Sequence, residues 1–100
     1  MAIVYSMFIG FNGPLPWRSN KATLFHYLNE SGLNGFTVTE ATGFYNGSEE
    51  PSAVVTVIVN EEEDYAKIEK ILRNIARHYK LACQQDEVWI TRRREDLYVI

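Results

Sequence analysis

The stretch Thr42-Gly43-Phe44-Tyr45-Asn46-Gly47-Ser48-Glu49-Glu50-Pro51-Ser52 gathers much of the chemically useful material in this chain. Its two glycines let backbone approach a ligand. Tyr45 offers a ring face and a hydroxyl, and Glu49 and Glu50 offer negative charge beside Ser48 and Ser52. Such a set suits a small cationic molecule. A carboxylate neutralises the cation, and an aromatic face adds roughly 0.5–2 kcal/mol of cation–π attraction. The same residues also compose a polar hairpin with solvated glutamates. A second polar run, Gln84-Gln85-Asp86-Glu87, leads into an apolar segment. Its carboxylates can face the same site or a neighbouring subunit's site. By itself it is a polar connection, and the two runs acquire meaning only if the fold brings them together.

Other candidates are weaker. Trp17 and Arg18 follow the proline-stiffened Asn12–Pro16. They form either a lid over an aromatic or anionic group or a plug on the core. Arg92-Arg93-Arg94 raises the question of phosphate or nucleic acid. Alternation along a strand sends the middle arginine to the other face, and Glu95 and Asp96 follow at once. Ion pairs or a solvated strand end are therefore expected there. His26 and His78 have no histidine or cysteine at ligand spacing, so no metal is expected. Cys83, the single cysteine, reads as a small buried hydrophobe and has no partner for an intramolecular disulfide. The chain carries no phosphate-binding glycine loop, nucleophile elbow or dinucleotide fingerprint, and no cofactor is expected.

Composition narrows the class. One hundred residues suffice for a single domain, 1–100, burying somewhat over ~60% of its unfolded surface. With 46% apolar and 23% charged residues the chain is globular and not disordered. The net charge is −3, and a nucleic-acid backbone calls for clustered cations, so no nucleic-acid partner is expected. The longest apolar run, Ala53–Val59, is far short of the ~20 residues of a membrane span. Met1–Phe11 lacks the basic start and small-residue cleavage site of a signal peptide. A cytoplasmic protein is expected.

These residues need elements to hold them. Ala2–Phe11 alternates apolar residues as a strand does, with Val4 and Phe8 making the second face partly apolar as well. Ser19 or Asn20 can cap a helix that runs to about Ser31, with Gly32 as its stop. Phe36–Tyr45 reads as a strand, Asn46-Gly47 as a tight turn and Ser48–Ser52 as an extension of that turn. Ala53–Val59 is apolar enough for a central strand. Asn60 with Glu63 resembles a capping box opening a helix, whose stripe is Tyr65, Ile68, Leu72, Ile75 and Tyr79. Glu87–Arg93 reads as a strand, and Leu97–Ile100 as a short strand or tail. The order β-α-β-β-α-β predicts an α+β ferredoxin-like sandwich, a four-stranded antiparallel sheet with two helices on one face. Several strands are apolar on both sides, so the open face should be buried by self-association.

Three stretches resemble the PII-like superfamily, and within it the small phage-encoded S-adenosylmethionine (SAM) lyases, formerly called SAM hydrolases. Ala2–Phe11 is similar to their apolar first strand. Thr42-Gly43-Phe44-Tyr45, followed by Glu49-Glu50 and the strand Val54–Val59, is similar to their T-G-x-Y segment with a glutamate before the next strand. Gln85-Asp86-Glu87-Val88 is similar to their Gln-acidic-x-Val approach to the last main strand. The resemblance implies a homotrimer with ligand clefts between subunits, in the host cytoplasm if phage-encoded. It implies a carbon–sulfur lyase in which the carboxylate of SAM attacks its own γ-carbon, releasing 5′-methylthioadenosine and homoserine lactone. Glu50, or Glu49, would hold the amino group, and Tyr45 would line the reacting centre. Ser52 would orient the tail, and Asp86 with Gln85 would add contacts. The backbone of Gly43 and Phe44 would meet the adenine. The alternative within the same superfamily is a non-catalytic oligomer that binds an adenine nucleotide as sensor or sponge.

Overall fold

A computed structural model describes all 100 residues. The elements are β1 (Ala2–Gly10), α1 (Trp17–Glu30), β2 (Thr37–Tyr45), β3 (Ser48–Asn60), α2 (Tyr65–Ala82) and β4 (Trp89–Glu95). The strands make one sheet in the order β2-β3-β1-β4, antiparallel throughout. This is the ferredoxin-like α+β sandwich that the element order predicts.

Two-residue periodicity in the strands decides what each face holds. In β1, Ile3, Tyr5, Met7 and Ile9 lie opposite Val59, Val57, Val55 and Ala53 of β3. All eight turn toward the helices and belong to one buried cluster. Leu24 and Leu28 of α1 close onto them, as do Leu72, Ile75, Ala76 and Tyr79 of α2. The 3-4-3-4 stripe read in the sequence is therefore the packing face of α2, with Tyr65 and Ile68 half-buried at its end. The opposite face of the sheet carries no helix. Phe8 (44% exposed), Ile58 (61%) and Trp89 (63%) stand on it. Arg93 leans across the same face, its guanidinium 3.5 Å from the Ser6 hydroxyl.

Several boundaries differ from the expected ones. Ser48–Ser52 is not an extended turn but the first part of β3. The turn is Asn46-Gly47 alone, with φ of 50° and 78°, and so tight a connection carries the pairing straight on. Tyr45 pairs with Ser48, Gly43 with Glu50 and Thr42 with Pro51. Pro51 is tolerated because the nitrogen and carbonyl of a strand residue point the same way. Its carbonyl accepts from the Phe11 amide at 2.9 Å, so its missing N–H faces the end of β1 and costs no β2 ladder bond.

Asn60 does not open α2. Its side-chain oxygen accepts from the Glu62 amide at 3.1 Å and its carbonyl from the Glu63 amide at 2.9 Å, which closes a turn. Asp64 is the cap, accepting from the Lys67 amide at 3.1 Å. α1 begins earlier than expected, with Pro16 at its cap position. Trp17 and Arg18 are thus the first helical turn, the guanidinium 5.0 Å from the indole centroid, and not a loop lid. Asn20 is no cap either: it is fully buried and donates to the Phe11 carbonyl at 2.7 Å. β4 starts two residues later than expected, and residues 96–100 carry no regular structure.

The capping difference is testable. Asp64→Ala should destabilise the fold by roughly 0.5–2 kcal/mol in urea unfolding, the usual cost of a lost helix cap. Asn60→Ala should cost less, because its side chain serves only a turn.

Candidate functional site

The hairpin of β2 and β3 extends past the end of β1, and on its open face stand four of the predicted residues, Gly43, Tyr45, Glu50 and Ser52. Gly43 of β2 lies opposite Glu50, and Gly10 of β1 lies opposite Ser52. Both glycines are there for space. A Cβ on Gly10 would stand 2.5 Å from Glu50 Oε1, and one on Gly43 would stand 2.6 Å from Ser52 Oγ and 3.3 Å from Glu50 Cγ. The 2.5 and 2.6 Å separations are closer than real Cβ contacts allow, and the 3.3 Å one is tight. Two neighbouring strands therefore lack side chains where the strand between them lays a carboxylate and a hydroxyl on the sheet. Ser52 Oγ also donates to the Glu50 carbonyl at 3.3 Å, a bond within the same strand.

Glu49 and Glu50 are separated by strand alternation. Glu50 is half-buried on the open face over the glycines, while Glu49 is exposed and pairs with Phe44 on the other parity. The Phe44 ring is likewise exposed and turned from Glu50. Tyr45 shares the face of Gly43, Glu50 and Ser52. Its hydroxyl donates to Asp86 Oδ2 at 3.3 Å across 41 residues of chain. That bond joins the two polar runs which the sequence left separate.

Gln85 has a different employment. Its amide nitrogen donates to the Asn12 carbonyl and, at 3.2 Å, to the Cys83 carbonyl. It ties the loop after β1 to the end of α2 beside the site. Glu87 turns away, into a groove between α2 and β4.

Three residues at the site escaped the sequence reading. Gly10 was hidden because a glycine at a strand end reads as a stop. Tyr79 was assigned to the helix stripe, yet its hydroxyl reaches the Gly10 carbonyl at 2.6 Å and pins the strand end beneath Glu50. Asn20 holds the next carbonyl, that of Phe11, and its own Oδ1 is buried without a partner. The available signal was a polar group on an otherwise apolar stripe, which for Tyr79 was visible in the spacing.

The electrostatics follow from burial. The Tyr79 phenol is pushed well above its ordinary 10.0, chiefly by burial, with Cys83 and the negative Glu50 adding to it. The Cys83 thiol is raised by burial, opposed by hydrogen bonding with Thr23 and Tyr79. Both stay protonated at neutral pH, so the floor of the site is neutral and Glu50 and Asp86 supply the charge. The arginine run is spent elsewhere. Arg92 pairs with Glu69 at 2.9 Å and Arg94 with Glu61 at 3.9 Å on the helix side, and Arg93 with Glu95 at 2.5 Å on the open side. The predicted alternation holds, and the partners are within the chain.

No family model and no curated protein sequence matches this chain. Solved structures do. The chain has the ferredoxin-like fold. It is similar to a phage SAM lyase in complex with S-methyl-5′-thioadenosine, with 16% identity over 99% of this chain and 88% of that one, at a TM-score of 0.66. A nitrogen regulatory PII-like protein from Thiomonas intermedia, bound to ADP, AMP and bicarbonate, matches at 10% identity over 99% and 98%, with a TM-score of 0.57. A de novo designed protein with a ferredoxin fold matches at 13% over 95% and 87%, with a TM-score of 0.51. Likeness at these identities is likeness of fold, and chemistry has to come from the side chains.

The neutral floor sets an alkaline limit. Tyr79 and Cys83 hold protons in the folded state that the unfolded chain releases above about pH 9, so stability is full below that point and falls as pH rises. The melting temperature should decline between about pH 9 and 11. Tyr79→Phe should start lower, by roughly 0.5–1.5 kcal/mol for the lost hydrogen bond, and decline less steeply above pH 10.

Proposed function

We propose that this protein degrades S-adenosylmethionine to 5′-methylthioadenosine and homoserine lactone. The observation that carries the reading is the clearing made by Gly10 and Gly43 around Glu50 and Ser52, on a fold shared with a phage SAM lyase. SAM presents two cations, a sulfonium and an ammonium. Glu50 pairs with the ammonium, and Ser52 hydrogen-bonds the amino-acid tail. Tyr45, oriented by Asp86, lines the reacting carbon with its ring toward the sulfonium. The backbone at Gly43 and Phe44 borders the adenine.

The reaction asks little of the protein beyond position. A carboxylate oxygen of SAM forms a bond to the γ-carbon while the carbon–sulfur bond breaks. The electron pair goes to sulfur, which becomes a neutral thioether. No proton, water or metal enters the balance. Holding the tail in a near-attack conformer supplies several kcal/mol of the barrier, on the order of what oriented intramolecular reactions gain. Occupying the ammonium with Glu50 also keeps it from pairing with the carboxylate that must attack.

The reading includes self-association. Phe8, Ile58 and Trp89 leave apolar surface on the helix-free face, Phe8 and Trp89 at the end nearer the clearing. Packing that face against other copies buries it and encloses a site that in one chain is open at the sheet's end. A homotrimer, phage-encoded and working in the host cytoplasm, is the assembly we assign to it. A second reading, nucleotide binding without turnover, draws support from the likeness to the PII-like protein bound to ADP and AMP.

Incubation of the purified protein with SAM, followed by mass spectrometry against an enzyme-free control, separates the two. Methylthioadenosine with homoserine lactone is expected. Intact SAM would overturn the lyase and leave the binder, for which ADP and AMP should raise the melting temperature. Glu50→Gln should lower turnover by roughly 100-fold or more with the oligomer unchanged, whereas Glu49→Gln should retain it. Gly10→Ala should leave the fold intact, because only the flexible end of Glu50 has to move. It should nevertheless lower kcat/KM about tenfold or more by displacing that carboxylate.

A further inference from the structure

Away from this site, α2 and β4 border a cleft of about 600 Å³. Its floor is apolar: Ala76, Val88 and Ile90. Its wall is cationic, with Arg73, Arg77 and Lys80 projecting from one side of α2 at helical spacing. Two carboxylates, Glu69 and Glu87, stand in the cleft against four cations, and Glu69 is already engaged, by Arg92 at 2.9 Å and by Arg73 at 3.5 Å. Arg77 and Lys80 pair with no carboxylate, although the chain as a whole is negative. One side of the cleft is the outer edge of β4, which pairs only with β1 and so leaves a row of backbone donors and acceptors free.

The chain carries a segment with the matching character. Residues 96–100 read Asp-Leu-Tyr-Val-Ile, and Glu95 precedes them. Their order is acid first, then β-prone apolar residues. Tyr98 is 84% exposed and Val99 86%, so nothing in the chain covers them. They cannot reach the apolar floor of their own cleft. The apolar floor lies at the start of β4, and the segment leaves from the other end, about 17 Å away at strand rise. Doubling back takes at least two residues for the reversal, and the remaining three span only about 10 Å.

We propose that residues 96–100 of one copy dock in the α2–β4 cleft of a second copy, adding a short strand to the β4 edge. The acidic residues meet Arg77 and Lys80, and the apolar side chains cover Val88 and Ile90. This rests on the self-association in the preceding reading and names a contact that links the copies apart from their sheet faces. It is a heterologous contact, one patch meeting a different patch, which closes into a ring when the rotation permits.

The test uses two full-length single variants, Glu87→Cys at the cleft and Val99→Cys in the segment, mixed under mild oxidation. Native Cys83 is buried. Peptide mapping by mass spectrometry is expected to find a disulfide between positions 87 and 99 in the mixture. Adding Arg77→Glu and Lys80→Glu to the cleft variant should cut its yield at least fivefold, with the fold checked by circular dichroism. Absence of the 87–99 link in the mixture would overturn the proposal. So would a yield that ignores the charge reversal, or a link that forms only within one chain carrying both cysteines. SAM turnover is read in the same samples. Turnover without the link sinks this contact alone, and the link without turnover sinks only the lyase.

Discussion

The pairing of β1 with β3 is the constraint on which the rest of the molecule depends. Nine residue pairs, from Ala2 with Asn60 to Gly10 with Ser52, make the centre of the sheet. Because side chains alternate, that one register does two things at once. It turns Ile3, Tyr5, Met7 and Ile9 into the helix-covered core, and it brings the bare backbone of Gly10 beside Ser52 on the other face. A slip by one residue would put the core side chains in water and a side chain under Glu50. The energy that protects the site geometry is thus mostly hydrophobic burial some distance from it. Tyr79 links the two directly, since its ring is part of the core and its hydroxyl holds the Gly10 carbonyl.

Charge is as unevenly distributed as apolar surface. Eight of the ten lysines and arginines lie on α2 and β4. The hairpin, the turn before α2 and the connection before β4 carry mostly carboxylates. Negative charge gathers at the end of the sheet where Glu50 and Asp86 stand, and positive charge on the flank made by α2 and β4. A net charge of −3 conceals both. The arginine triplet shows how the fold uses such charges: two of its members tie β4 to α2 and to the turn before α2, through Glu69 and Glu61, and the third covers Ser6 on the open face.

Much of this was legible in the residues. The apolar alternation of Ala2–Phe11, the run Ala53–Val59 and the 3-4-3-4 stripe of α2 each record a periodic burial, and periodic burial is what a linear pattern can express. The element order, the Asn46-Gly47 turn and the split of the arginines between two faces followed. Boundaries were harder. Ser48–Ser52 looked like loop because it is polar and contains proline, but a hairpin that outruns its neighbouring strand needs no apolar side chains and leaves a proline nitrogen free. Asn60 looked like a cap because capping residues and turn residues are the same residues, and the choice between Asn60 and Asp64 depends on where β3 releases the chain.

The sequence by itself determined the fold class, the direction of the core faces and the chemical types available to a site, because these depend on local periodicity and on side-chain identity. Only the tertiary structure decided which of those types meet. Tyr45 and Asp86 are 41 residues apart and become hydrogen-bonded through the return of the chain after α2. Glu50 and not Glu49 stands over the sheet, because the tight turn sets the parity of β3. Gly10 gains its meaning from a carboxylate 40 positions away. Those relations are distances across strands, and the order of residues along a chain does not contain them until the register is formed.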